Sequence, residues 1–141
     1  MKKILLLEDD KKITTALAIR LRAAGYEVLT ESNGRSGLNT ALSYRPDLII
    51  ADIWMPGKAG FEVAEELKRH SLDPIPIIFI TASRKRDLWR TSQEVGAEAF
   101  FEKPYDPEQL LAAIECALAA APATTGTPDP SQQTATSGSN L

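Results

Sequence analysis

Five short apolar runs, at 4–7, 26–30, 48–51, 77–80 and 98–101, alternate with longer segments whose apolar residues return at helical spacing. A run that is apolar at successive positions, without a polar face, suits a strand covered on both sides. The alternation therefore predicts an α/β domain with a parallel sheet between two layers of helices. The helical stripes are Ile13, Leu17 and Leu21; Leu38, Ala41 and Leu42; Val63 and Leu67; and Leu110, Ile114 and Leu118. Gly25 and Gly96 follow helix ends, where a residue with positive φ is wanted. Asp106-Pro107-Glu108-Gln109 reads as a helix start, with Asp106 as N-cap, Pro107 at the first helical position and Gln109 placed to close a capping box. Segment 84–95 is the weak helix. Arg84-Lys85-Arg86 opens it with charge that opposes the helix dipole, and Leu88 and Trp89 give it few apolar anchors.

After residue 121 the pattern stops. Residues 122–141 hold no Lys or Arg and no apolar period, so the chain divides into a domain over 1–121 and a disordered tail or linker over 122–141. The 141 residues carry 16 Lys and Arg against 19 Asp and Glu, a formal charge of −3, which gives no field for nucleic acid or anionic lipid. The apolar run near the N-terminus, Ile4 to Leu7, is far shorter than the roughly 20 residues of a membrane span. A cytoplasmic protein with no direct nucleic-acid or membrane contact is expected. One cysteine, Cys116, excludes an internal disulfide framework and a thiolate metal cage, and reads as a packed or half-exposed residue of the last helix. His70, at the polar end of a helix, reads as surface.

The charges that interrupt this pattern are placed with purpose. Glu8-Asp9 follows the first run, Asp52 the third and Lys103-Pro104 the fifth, while Thr81 ends the fourth. In an open α/β sheet the carboxyl ends of the strands border the ligand crevice. Three carboxylates meeting there repel one another unless a cation intervenes, and an oxygen-only donor set suits Mg²⁺. Asp52, ending the most continuously apolar run and preceding a loop that Pro56 and Gly57 turn sharply, is the candidate nucleophile for an aspartyl phosphate. Such a transfer needs in-line alignment and neutralisation of spreading negative charge. Mg²⁺ held by Glu8 and Asp9, together with Lys103, would supply the charge, and Thr81 a hydroxyl for a phosphoryl oxygen. Singly, each residue has a plainer reading: Glu8, Asp9 and Asp10 as the acidic first turn of a helix, Asp52 as an N-cap, Thr81 as a strand former. Jointly they fall on one side of one sheet.

The stretches Ile4-Leu-Leu-Leu-Glu8-Asp9-Asp10, Pro46 through Asp52 to Pro56-Gly57, Ile80-Thr81-Ala82 and Phe100-Phe-Glu-Lys103-Pro104 resemble, in order, the motifs of the response-regulator receiver domain. The resemblance covers residues 2 to about 120. It implies a flavodoxin-like (βα)5 doubly wound sheet in the order 2-1-3-4-5. It implies phosphorylation of Asp52 by a sensor histidine kinase or histidine phosphotransfer protein. Glu8, Asp9, Asp52 and the backbone carbonyl of Trp54 are then the Mg²⁺ ligands, with Asp9 the direct one of the acidic pair. Lys103 pairs with the phosphate, and Lys103-Pro104 is a cis peptide. Thr81 and Phe100 become the switch pair: phosphate draws Thr81 inward, Phe100 turns into the vacated space, and segment 84–95 repacks to present a face to a downstream effector. Beyond self-phosphorylation and self-dephosphorylation no enzymatic activity is expected.

Two departures qualify the resemblance. Ala99 and Ala113 stand where winged-helix DNA-binding regulators of the family usually carry an acid and an arginine, which argues against their particular dimer. Ala59 replaces a common acidic residue before Gly60, which implies altered loop packing without loss of activity. Rival readings fare worse. A nucleotide or flavin module needs a glycine- or hydroxyl-rich loop after the first strand, where Glu8-Asp9-Asp10 would repel phosphate. An aspartyl-phosphate phosphatase needs a second acid where Trp54 stands. The alternative closest to the main reading is a degenerate receiver serving only as an interaction module.

Overall fold

The computed structural model describes residues 1–70, 74–83 and 85–119, Arg86 by its backbone alone. Arg84 of the weak segment and the expected tail at 122–141 lie outside the described residues. Ten elements alternate: β1 (Lys3–Leu7), α1 (Lys11–Ala23), β2 (Glu27–Glu31), α2 (Gly34–Tyr44), β3 (Leu48–Asp52), α3 (Gly60–His70), β4 (Ile77–Thr81), α4 (Arg86–Glu94), β5 (Ala99–Glu102) and α5 (Pro107–Ala119). The strands form one parallel sheet in the order β2-β1-β3-β4-β5, the flavodoxin-like arrangement. Leu5 pairs with Leu29 on one side and Ile49 on the other, so β1 lies inside the sheet.

Alternation along the strands sorts the apolar runs into two cores. Leu5, Leu7, Ile49, Ala51 and Phe79 pack with Leu38, Val63, Leu67 and Leu88. Ile4, Leu6, Ile50, Ile78 and Phe101 pack with Leu17, Leu21, Leu110 and Ile114. This is why the runs show no polar face. The helical stripes point inward as their spacing requires, with Ile13, Leu42 and Leu118 half-buried at the margins. Among the described residues, no helix is long and apolar enough to cross a membrane.

The element ends follow local chemistry. Asp10 caps α1, its carboxylate accepting from the amides of Lys12 and Ile13, and Asn33 caps α2 through Arg35 and Ser36. Asp106 Oδ1 accepts from the Glu108 amide at 2.9 Å. Gly25 and Gly96 adopt the expected positive φ, 99° and 79°. Arg45 does so too, at 54°, ending α2 without a glycine; Pro46 behind it disfavours a further helical residue. Expected strand 26–30 starts one residue later because the Tyr26 amide is spent on Leu21 O at the end of α1. Cys116 is exposed rather than packed, because α5 turns it away from Leu110 and Ile114. His70 is exposed, as expected.

α4 is the thinly held helix. Leu88 and Ser92 are buried on it, its N-cap Lys85 makes no side-chain bond to the helix, and Gln93 Nε2 is buried without a hydrogen-bond partner. An unmet buried donor costs about 1–3 kcal/mol.

At the amino edge of the sheet, Tyr44 at the end of α2 donates its hydroxyl to Glu27 Oε2 at 2.8 Å, while Lys3 Nζ lies 4.7 Å from its ring centroid. Burial, then the Glu27 bond, push the phenol up to about 12. A folded pKa above the unfolded value means a contribution fully present below the ordinary tyrosine pKa and lost as pH rises through about 12. In urea unfolding across that alkaline window, wild type should therefore lose stability more steeply than Tyr44→Phe. Parallel curves would show that the bond contributes nothing.

Candidate functional site

All five strands run the same way, so their carboxyl ends share one edge. The register Leu7 to Ala51, carried one residue on, sets Glu8 beside Asp52. Lys103, just past β5, is tied to β4 by its amide, which donates to Thr81 O at 2.8 Å, and the Lys103-Pro104 peptide is cis. From there the Lys103 ammonium reaches Glu8 Oε1 at 2.9 Å and Asp52 Oδ2 at 3.1 Å. The second oxygens are used as well. Glu8 Oε2 accepts from the Asp10 amide at 3.2 Å, and Asp52 Oδ1 from the Trp54 amide at 3.1 Å. Asp9 completes the group: one carboxylate oxygen each from Glu8, Asp9 and Asp52 lie within 4.8 Å of one another.

The electrostatics favour a cation. Glu8 is 2% exposed and Asp52 7%, whereas Asp9 is open to solvent. Burial pushes the Glu8 carboxyl above its ordinary value; Lys103 and the Asp10 amide oppose this, and the charge of Asp52 adds to it. Burial works against the Lys103 ammonium too, but its hydrogen bonds to Glu8 and Asp52 outweigh that and hold its pKa above that of a free lysine. One ammonium against three carboxylates leaves an excess of negative charge in a partly desolvated niche. An all-oxygen donor set with one solvent-facing member fits a hard divalent ion that retains water.

The neighbours divide into those aimed at the niche and those around it. Thr81 is fully buried at the end of β4, with its Oγ1 accepting from the Ser83 amide at 3.1 Å. Phe100 is also fully buried, in the core cluster that holds Phe79, Leu88 and Val95. Trp54 leaves its indole 53% exposed while its amide is turned to Asp52. Asp10 is not part of the niche, since its side chain caps α1. Of the three consecutive acids, the plainer helix-start reading holds for this one. Ala59 donates its amide to Glu62 Oε1 at 2.9 Å, closing the start of α3 without an acid at 59. Beside Lys103 a groove of about 360 Å³ opens between Ile13, Leu17 and Arg20 of α1 and Pro104, Tyr105 and Pro107. No local pattern announces it, because its walls come from segments far apart in the chain.

Comparison with known proteins agrees with this geometry. The family model for the response regulator receiver domain matches residues 4–115. The phosphate regulon transcriptional regulatory protein PhoB of Pseudomonas aeruginosa is 37% identical over 118 residues, 83% of this chain and 52% of that protein. The transcriptional regulatory protein PdtaR of Mycobacterium tuberculosis is 35% identical, over 83% of this chain and 57% of that protein. The chain thus spans about half the length of these curated relatives. Among solved structures, a response regulator from Chloroflexus aurantiacus superposes with a TM-score of 0.79 at 29% identity, covering 84% of this chain and 98% of that one. The chemotaxis protein CheY4 of Vibrio cholerae gives 0.76 at 33%, covering 84% and 99%.

Because Asp9 is exposed and makes no cap, it can be removed without disturbing the core. Titrated with Mg²⁺ under Trp fluorescence and thermal unfolding, wild type should bind and gain stability by mass action, about 2.7 kcal/mol at a hundredfold excess over Kd. Asp9→Ala should lose at least about tenfold in affinity. Identical titrations would remove Asp9 from the site.

Proposed function

This chain belongs to the response regulator receiver domain family, and from that premise we propose that Asp52 accepts a phosphoryl group from a sensor histidine kinase or a histidine phosphotransfer protein. The observation that carries the reading is the Lys103 ammonium held between Glu8 and Asp52, with the Asp9 carboxylate at the open side. In the transfer an Asp52 carboxylate oxygen bonds to phosphorus as the bond from phosphorus to the donor imidazole breaks, and the imidazole leaves. Lys103 is already in place to pair with the phosphoryl oxygens, and Thr81 Oγ1 can donate to one of them. Glu8, Asp9, Asp52 and the Trp54 carbonyl would hold Mg²⁺, which would supply the remaining positive charge opposite those oxygens. The protein is then a phosphorylated signalling switch with no enzymatic activity beyond its own phosphorylation and dephosphorylation.

The output follows from the thin hold on α4. Phosphate on Asp52 draws Thr81 inward, Phe100 turns into the space it vacates, and α4 repacks, its face meeting a downstream effector protein or domain. We take the receiver unit as 1–121, with 122–141 as tail or linker, and place it in the cytoplasm, away from membrane and without its own contact to nucleic acid. Any DNA binding by a longer protein, such as the transcriptional regulators among its relatives, would fall to another domain.

Asp52→Asn should take up no hydroxylamine-sensitive phosphate from a small phosphodonor with Mg²⁺. In chelator it should be as stable as wild type or more so, by up to on the order of 1 kcal/mol, because one of three crowded carboxylates is gone. Incorporation at the normal rate would reject Asp52 as acceptor. No incorporation by wild type under the same conditions would favour a receiver used only as an interaction module.

Trp54 sits at the rim, with its amide on Asp52 and its indole half in solvent. A bulky ring there limits the approach of the water that hydrolyses the acyl phosphate in line. With no kinase present, phosphorylated Trp54→Asn should decay several-fold faster than wild type. Equal first-order rates would leave Trp54 as a partner-recognition residue.

A further inference from the structure

We propose that the N-terminus of α2, through Asn33 and Gly34, is a positioning element that sets the loop carrying the Trp54 carbonyl. The proposal rests on the metal reading above for its functional consequence, and on packing for its substance. Residues 53–59 connect β3 to α3 and are tied at each end. The Trp54 amide donates to Asp52 Oδ1 at 3.1 Å, and the Gly60 amide returns to Ile53 O at 2.8 Å. These bonds fix the two ends of the loop and leave its turn at Pro56-Gly57 to be held from outside.

The outside support is α2. The Gly34 amide, one of the unpaired donors at the helix start, donates to Pro56 O at 2.9 Å. The approach is close enough that a Cβ at 34 would fall inside the Lys58 carbonyl. Next to it, Gly57 adopts φ +86°, and a Cβ there would overlap the Asn33 side-chain amide. Asn33 is pinned by capping its own helix, with Oδ1 accepting from Arg35 at 2.7 Å and from Ser36 at 3.3 Å. Gly34 thus lets two backbones touch, Gly57 leaves room for the Asn33 amide, and a capped helix end serves as the rigid member. The Trp54 carbonyl lies two residues before the seated Pro56 carbonyl, so a shift of the seat moves the backbone of the metal niche.

The test compares wild type with Gly34→Ala, with Asn33→Ser, which keeps a capping oxygen but withdraws the amide from Gly57, and with Ala41→Gly. The last destabilises α2 at a fully buried position without touching the loop. Two readouts are taken: Mg²⁺ affinity, and metal-free hydrogen exchange at the Trp54 and Gly60 amides. Gly34→Ala should weaken Mg²⁺ binding by roughly tenfold or more and speed exchange at both amides; Asn33→Ser should do the same to a smaller degree. Ala41→Gly should lower global stability and leave both readouts at wild-type values once corrected for it. If Gly34→Ala does not fold, Asn33→Ser carries the decision. Loop exchange and affinity in the seat variants that match Ala41→Gly would overturn the proposal. If wild type takes up no Mg²⁺, the metal reading falls, while the exchange measurement still decides whether α2 positions the loop.

Discussion

The Lys103 ammonium, shared between Glu8 and Asp52, is the interaction on which the carboxyl edge of this sheet depends. Two nearly inaccessible carboxylates on adjacent strands repel each other, and burial penalises each. Lys103 is the counter-charge of both: its removal would leave two buried carboxylates unpaired, a loss of about 3–5 kcal/mol, whereas loss of one carboxylate leaves Lys103 paired with the other. The balance is incomplete by design of the residue set: one ammonium meets two buried carboxylates, and Asp9 adds a third at the surface. That residual negative charge costs stability, and in the proposed function a cation would offset it.

Parallel strands make this arrangement cheap to build. Each one can be apolar along its whole buried length, because the helices cover both faces, and can end on a polar residue because all ends emerge at the same edge. The loops then need only short reach. Glu8 lies one residue past β1, Asp52 and Thr81 are the last residues of β3 and β4, and Lys103 is the first past β5. Positions within one residue of a hydrogen-bonded ladder are held firmly, which is what in-line phosphoryl transfer requires of its acceptor and its counter-charge.

Most of this was legible in the sequence, because it rests on period and punctuation. The two-sided burial of Leu5 and Leu6 makes the run at 4–7 continuous, and the charged residues that end the runs are the ones that converge. What was not legible depends on contacts across the fold. Nothing local separates Asp10, which caps α1, from Asp9, which faces the niche. Arg45 takes a left-handed turn that a glycine would have announced. The closeness of Gly34 to Lys58 exists only once α2 and the loop before α3 are side by side.

In the proposed function the same geometry would carry a charge change at Asp52 to α4 rather than evenly over the domain. β3, bearing Asp52, pairs with β4, whose last residue Thr81 is joined to Lys103 through the backbone, so the acceptor, its counter-charge and the candidate hydroxyl form one hydrogen-bonded edge. α1 and α2 start on bonded caps and bury three and four residues, respectively. α4 leaves the same edge with no side-chain cap and with the Gln93 amide nitrogen unpaired in its interior. A perturbation of a few kcal/mol cannot reorganise a close-packed core, but it is comparable with what holds α4 in one arrangement. In the proposed function the bistable element is α4, beside the site, with an uncapped start and a buried amide nitrogen without a partner.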